Sequence, residues 1–167
     1  MKLKDLEKLL SKLEETNLSS KLSNLVNWHK DIIILGNGGS NSIASHLAQD
    51  YTKALGKRCI SFSDPSRLTC YINDYGQDNA YEKFLESFSN SKSLVILISS
   101  SGESKNIINS LKYCQDNKLP HVILTGFSED NFLKKASEQT AQVNYWVDST
   151  DYGIVESLHQ IFLHSII

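Results

Sequence analysis

The chain has 167 residues, of which 40% are hydrophobic and 22% charged, and its net charge is −2. That length suits one domain with a proper core. Arg58 and Arg67 are the only arginines, which argues against the clustered basic stripe of a nucleic-acid surface, and no apolar run approaches the ~18 residues of a membrane span.

The opening MKLKDLEKLLSKLEE carries charges throughout and lacks the apolar core of a signal peptide. The cysteines Cys59, Cys70 and Cys114 show no CxxC pairing and read as reduced, mostly buried thiols of a cytoplasmic protein. Residues 2 to about 28 read as helical. Leu3, Leu6, Leu10 and Leu13 repeat at spacings of three and four, Asn17, Ser19 and Ser20 break the stretch, and Leu22, Leu25 and Trp28 follow. Such a stripe ordinarily packs on its own core, and here it leaves room for a subunit contact.

The next stretch organises the rest. Ile32 to Leu35 is an apolar run that stops at Gly36-Asn37-Gly38-Gly39-Ser40, and a helix begins with Ser40 or Asn41 suited to cap it. This is the pattern of a first βα turn in a parallel sheet. Its helix start offers unpaired N–H groups to an anion. His46 and Asp50, four residues apart on that helix, share one face.

Four more apolar runs follow, at Cys59–Ser63, Leu94–Ile98, Val122–Leu124 and Val143–Val147. Helical stretches fall at about 79–89, 104–117, 128–139 and 152–167. Strands alternating with helices imply an α/β fold, a parallel sheet with helices on both faces and ligands at the loops that follow the strands. No repeat or linker divides the chain, so residues 1–167 read as one domain.

Among those loops, Ser99-Ser100-Ser101-Gly102-Glu103-Ser104 leads into a helix. Four hydroxyls around a glycine exceed what a cap needs and suit a phosphate without any arginine. Asp64-Pro65 and Asn73-Asp74 read as turn chemistry taken alone. The first turn fits G-x-G-x-x-G poorly, because Asn41 stands at the third glycine position, which favours a sugar phosphate over a dinucleotide. On the final helical stretch Glu156 and His164 lie eight apart, about 80° around the helix, so they can share a face. Glu and His on an otherwise apolar helix call for a common partner, either each other or a metal.

Taken in order, GNGGS at 36–40, HxxxD at 46–50, SDPSRLTCYINDYG at 63–76, SSSGES at 99–104, LTG at 124–126 and ExLHxxxxH at 156–164 resemble the sugar isomerase (SIS) fold and, within it, the sedoheptulose-7-phosphate (phosphoheptose) isomerases. The resemblance implies a three-layer αβα sandwich with a five-stranded parallel sheet, and a homotetramer with active sites at subunit interfaces. It implies aldose–ketose isomerisation of a sugar phosphate for bacterial surface heptose synthesis, feeding lipopolysaccharide or capsule. Sugar-phosphate contacts would fall on Asn37, Gly38, Gly39, Asn73, Asp74, Ser99, Ser100, Ser101, Ser104 and Glu156. A zinc ion would be held by His46, Asp50, Glu156 and His164, with Asp50 and His164 as the acid/base pair. Asp50 stands where the family has Glu, one methylene shorter, and Glu156 where it has Gln, one charge more negative. Both remain oxygen ligands that zinc accepts. A non-catalytic module of the same fold, of the type that associates with the bacterial replication initiator, is the competing reading. Retention of His46, Glu156 and His164 argues against it, because a scaffold has no need of them.

Overall fold

A computed structural model describes residues 3–167. The helical stretch expected from residue 2 therefore begins one residue outside the described part, and its helix α1 runs Leu3–Glu14. After it come α2 (Leu18–Trp28), β1 (Asp31–Gly36), α3 (Gly39–Leu55), β2 (Arg58–Ser61), α4 (Pro65–Tyr75) and α5 (Ala80–Phe88). The chain continues through β3 (Leu94–Ser99), α6 (Lys105–Asp116), β4 (His121–Thr125), α7 (Phe132–Ser137), β5 (Val143–Trp146) and α8 (Tyr152–His164).

The five strands form one parallel sheet in the order β2-β1-β3-β4-β5. This is the three-layer α/β arrangement that the alternating pattern implies. Successive side chains on a strand point to opposite faces, and the strands are apolar at nearly every position because helices cover both faces. Ile32, Ile34, Ile96 and Leu124 enter one core with residues of α1, α2, α3 and α8. Ile33, Leu35, Leu97 and Ile123 enter the other with residues of α4, α5, α6 and α7. Leu13, Leu22 and Val26 are buried in the first core and Leu6, Leu10 and Leu25 pack partly against it, while Leu3 is 73% exposed.

Strand order reverses between β1 and β3, since β1 leads outward to β2 on one side and pairs with β3 on the other. At such a switch point the loops after the two strands diverge and leave a crevice at their carboxyl ends.

The helix α4 departs from the turn reading of residues 63–76. The Asp64 side chain accepts a hydrogen bond from the Arg67 backbone N–H at 2.8 Å, and Pro65 occupies the first turn. An N-cap aspartate followed by proline starts a helix as readily as it makes a turn.

Candidate active site

The crevice at the switch point holds a cavity of about 250 Å³ lined by Asn37, Gly38, Gly39, Ser40, Ile98, Ser99, Ser100, Ser101, Ser104, Tyr152 and Glu156. Two helix N-termini open onto it. At α3 the N-cap is Gly38, with φ 54° and ψ −122°, a conformation that only glycine adopts without strain. No side chain caps this helix, and Ser40 and Asn41, the two expected cap candidates, both lie inside its first turn. At α6 the N-cap is Ser104, again without a side-chain cap. Both ends therefore keep N–H groups for an anion.

The serine loop is ordered from within. Ser99 Oγ accepts from the Gly102 N–H at 3.1 Å and donates to Ser104 Oγ at 3.3 Å, while Ser101 Oγ accepts from the Glu103 N–H at 3.2 Å. Ser100 Oγ is buried with no partner among the described residues. A buried hydroxyl without a partner costs about 1–3 kcal/mol, and Ser100 belongs to the residues that line the cavity.

The first loop is braced across the crevice. The Asn37 and Asn106 carboxamides exchange two hydrogen bonds, each 2.9 Å, and Asn106 is buried on α6. Tyr81 donates to the Gly36 carbonyl at 2.9 Å. The loops after β1 and β3 are thus fixed relative to each other before any ligand arrives.

Glu156 is placed apart from the histidines. Its carboxylate packs so closely on Gly39 that any side chain there would collide with it, and it is the only carboxylate among the residues lining the cavity. Glu156 and His164 share a face of α8 but lie about 12 Å apart along its axis. Helical side chains lean toward the N-terminus, which carries Glu156 toward Gly39, while the axial rise between Glu156 and His164 keeps the two groups at different levels.

A second cluster forms where α3 meets α8. Asp50 Oδ2 lies 3.0 Å from His46 Nε2 and 3.0 Å from His164 Nε2, and the three donor atoms fall within 4.8 Å of one another. The His164 Nδ1–H donates to the Gln160 carbonyl at 3.0 Å, so Nε2 is the ring nitrogen that faces the carboxylate. Two imidazole nitrogens and one carboxylate oxygen at these separations suit zinc, whose tetrahedral ligands sit about 3.3 Å apart. The buried Tyr51 hydroxyl donates to the Leu163 carbonyl at 2.8 Å and clamps α3 to α8 beside the cluster.

The other expected residues lie elsewhere. Asn73 and Asp74 are exposed on α4 and hydrogen-bonded to each other at 3.0 Å, away from the cavity lining. His159 is fully buried and donates from Nε2 to the Thr125 carbonyl at 3.0 Å. Burial pushes its pKa down to about 4, so it is a neutral core residue. A larger hollow of about 580 Å³ between α1 and the β5–α8 loop is lined by Asp5, Lys8, Lys12, Asp148 and Asp151 among others. It contains none of the expected site residues. Tyr152, Ser40 and Asn106 were not foreseen as site residues. Ser40 belongs to the GNGGS turn, whereas nothing in the sequence marks Asn106 as the partner of Asn37.

The chain is 31% identical over 159 residues to a phosphoheptose isomerase of Fusobacterium nucleatum subsp. nucleatum, covering 92% of this chain and 79% of that protein. It is 33% identical over 141 residues to the phosphoheptose isomerase of Aliarcobacter butzleri, covering 81% and 72%. Among solved structures it is similar to phosphoheptose isomerase GmhA from Neisseria gonorrhoeae, with a TM-score of 0.87 at 21% identity, covering 98% of this chain and 91% of that one. No protein-family model matches the chain.

Proposed function

The chain belongs to the phosphoheptose isomerase family, and from that premise we propose that it interconverts sedoheptulose 7-phosphate and glycero-manno-heptose 7-phosphate for bacterial surface heptose synthesis. The observation that carries the reading is the cavity at the switch point, lined by Ser99, Ser100, Ser101 and Ser104. The phosphate belongs on the α6 side. There the hydroxyls of Ser100, Ser101 and Ser104 and the helix N-terminus converge, whereas the α3 N-terminus already faces the Glu156 carboxylate. Gly38, Gly39 and Asn37 then border the sugar, and the amide pair keeps the phosphate seat at a fixed distance from them. Holding the phosphate end lets binding energy orient the reacting carbons.

His46, Asp50 and His164 would hold one zinc ion per subunit, with a coordination position left open. When bound, that ion supplies Lewis acidity toward a substrate oxygen. Glu156, expected as a fourth ligand, stands with the cavity instead.

A homotetramer is part of the proposal. The cavity falls below the ~300–1,000 Å³ usual for ligand pockets, and Asn73 and Asp74 face solvent on α4. A neighbouring subunit would enlarge the enclosure and give those residues a site to serve.

The direct test is to incubate the purified protein with sedoheptulose 7-phosphate and follow the aldose by NMR, with zinc measured by elemental analysis before and after chelation. Aldose formation supports the reading. No aldose with zinc present would remove it, and full activity in zinc-free protein would remove the metal.

A further inference from the structure

We infer that Asn106 is a positioning residue of the isomerisation: acting through Asn37, it fixes the orientation of the carboxamide that borders the sugar. The inference rests on the isomerase reading of the cavity and adds to it a residue outside the cavity wall. Asn37 lines the cavity, whereas Asn106 stands behind it on α6 and is not part of the lining. Asn37 Nδ2 donates to Asn106 Oδ1 and Asn106 Nδ2 donates to Asn37 Oδ1, each at 2.9 Å.

A reciprocal amide pair forms equally well with both carboxamides turned over, since each offers a donor and an acceptor. Here a third bond breaks the tie. The Ile107 backbone N–H donates to Asn106 Oδ1 at 3.0 Å, so that position must be the oxygen, because the amide nitrogen only donates. Asn37 is left with one orientation, its Nδ2 toward Asn106. The pair takes one N–H and one oxygen lone pair of Asn37, and the remaining N–H and lone pair stay in fixed positions for a ligand.

Packing alone does not account for asparagine at this position. It is a poor helix former, and an amide withdrawn from water costs stability unless its bonds are made. Yet Asn106 is only 5% exposed, and its neighbour Ile107 is fully buried. An apolar side chain would pack there without that cost, and what asparagine adds is the pair with Asn37. Because α6 also carries Ser104 and the helix end beside the serine loop, the phosphate seat and the brace on Asn37 share one rigid element. A sugar held by its phosphate therefore meets an amide already turned to receive it, as orientation of the reacting carbons requires.

The test is Asn106→Ala in the full chain, with kcat for sedoheptulose 7-phosphate and the Kd for inorganic phosphate measured on one preparation. Alanine is the best helix former, and the Ile107 N–H keeps its bond to the Ser104 carbonyl at 3.0 Å, so the fold should survive. The kcat should fall by roughly 10- to 100-fold, the upper figure being the cost of a misplacement of about 1 Å, while the phosphate Kd is unchanged. Added to Asn37→Ala, the same substitution should cause no further loss, because the two amides act as one unit. Asn106→Ser should show the same split, and it replaces alanine in the test if the alanine variant melts early. An unchanged kcat overturns the assignment. Phosphate binding that weakens in step with kcat also overturns it, by making Asn106 a support of the phosphate seat. Additive losses in the double variant overturn it as well, since Asn106 would then act without Asn37. A wild-type chain inert toward the sugar phosphate sinks the isomerase reading and this inference with it, and that outcome is visible without any variant.

Discussion

At the scale of single residues, the serine loop is where sequence and geometry converge most closely. Four hydroxyls in six residues exceeded any capping need, and the structure lines a cavity with them. Replacing Ser101 and Ser104 together with alanine removes two hydrogen bonds to a charged group, worth about 1.5–3 kcal/mol each. KM should rise by about 100-fold or more, with the circular dichroism melt unchanged. An unaltered KM would take the loop out of the site. Glu156 was less legible. Its spacing from His164 gave a common face, but a helical wheel carries no information on axial level or side-chain lean. The axial level separates it from His164.

At the scale of elements, the strands were read almost to the residue because their apolar runs lie between two helical layers, and burial on both faces leaves a continuous signal. The helix α4 was not read. Its apolar side chains Leu68, Tyr71 and Ile72 are only partly buried, and without a strong amphipathic stripe the Asp64-Pro65 cap looked like a turn. The α3–α8 seam was also hidden, since Tyr51 and Leu163 lie 112 positions apart. Tyr51→Phe leaves the Leu163 carbonyl buried without its donor, so unfolding in urea should register a loss of about 1–3 kcal/mol. If the clamp sets the spacing of Asp50 and His164, zinc affinity measured against a competing chelator should fall about 10-fold or more. An unchanged affinity would show that the cluster does not depend on the clamp.

At the scale of the whole molecule, strand alternation gave the layers, and the order β2-β1-β3-β4-β5 explains why residues far apart in sequence face one crevice. Assembly was not legible from the residues, because a sequence carries surfaces and not the copies that cover them. Only the family resemblance implied a tetramer. Trp28 is 87% exposed at the end of α2, and Tyr75 and Phe88 are 46% and 40% exposed on α4 and α5, an arrangement that a second subunit would relieve. Light scattering of the full chain should give four times the chain mass. A monomer that turns over sedoheptulose 7-phosphate would show that one chain completes the site.

The reciprocal pairing of Asn37 with Asn106 also bears on how the protein ages. Asn37 precedes Gly38, and an asparagine before glycine is the dipeptide most prone to spontaneous deamidation, because the next backbone nitrogen can close a succinimide ring on its carboxamide. Ring closure needs that carboxamide to swing toward the Gly38 nitrogen, which the two bonds to Asn106 oppose. Hydrolysis of the ring would leave aspartate or isoaspartate at the mouth of an anion-binding crevice. The brace that spaces the ligand loops therefore also slows the chemical clock of the residue most exposed to it.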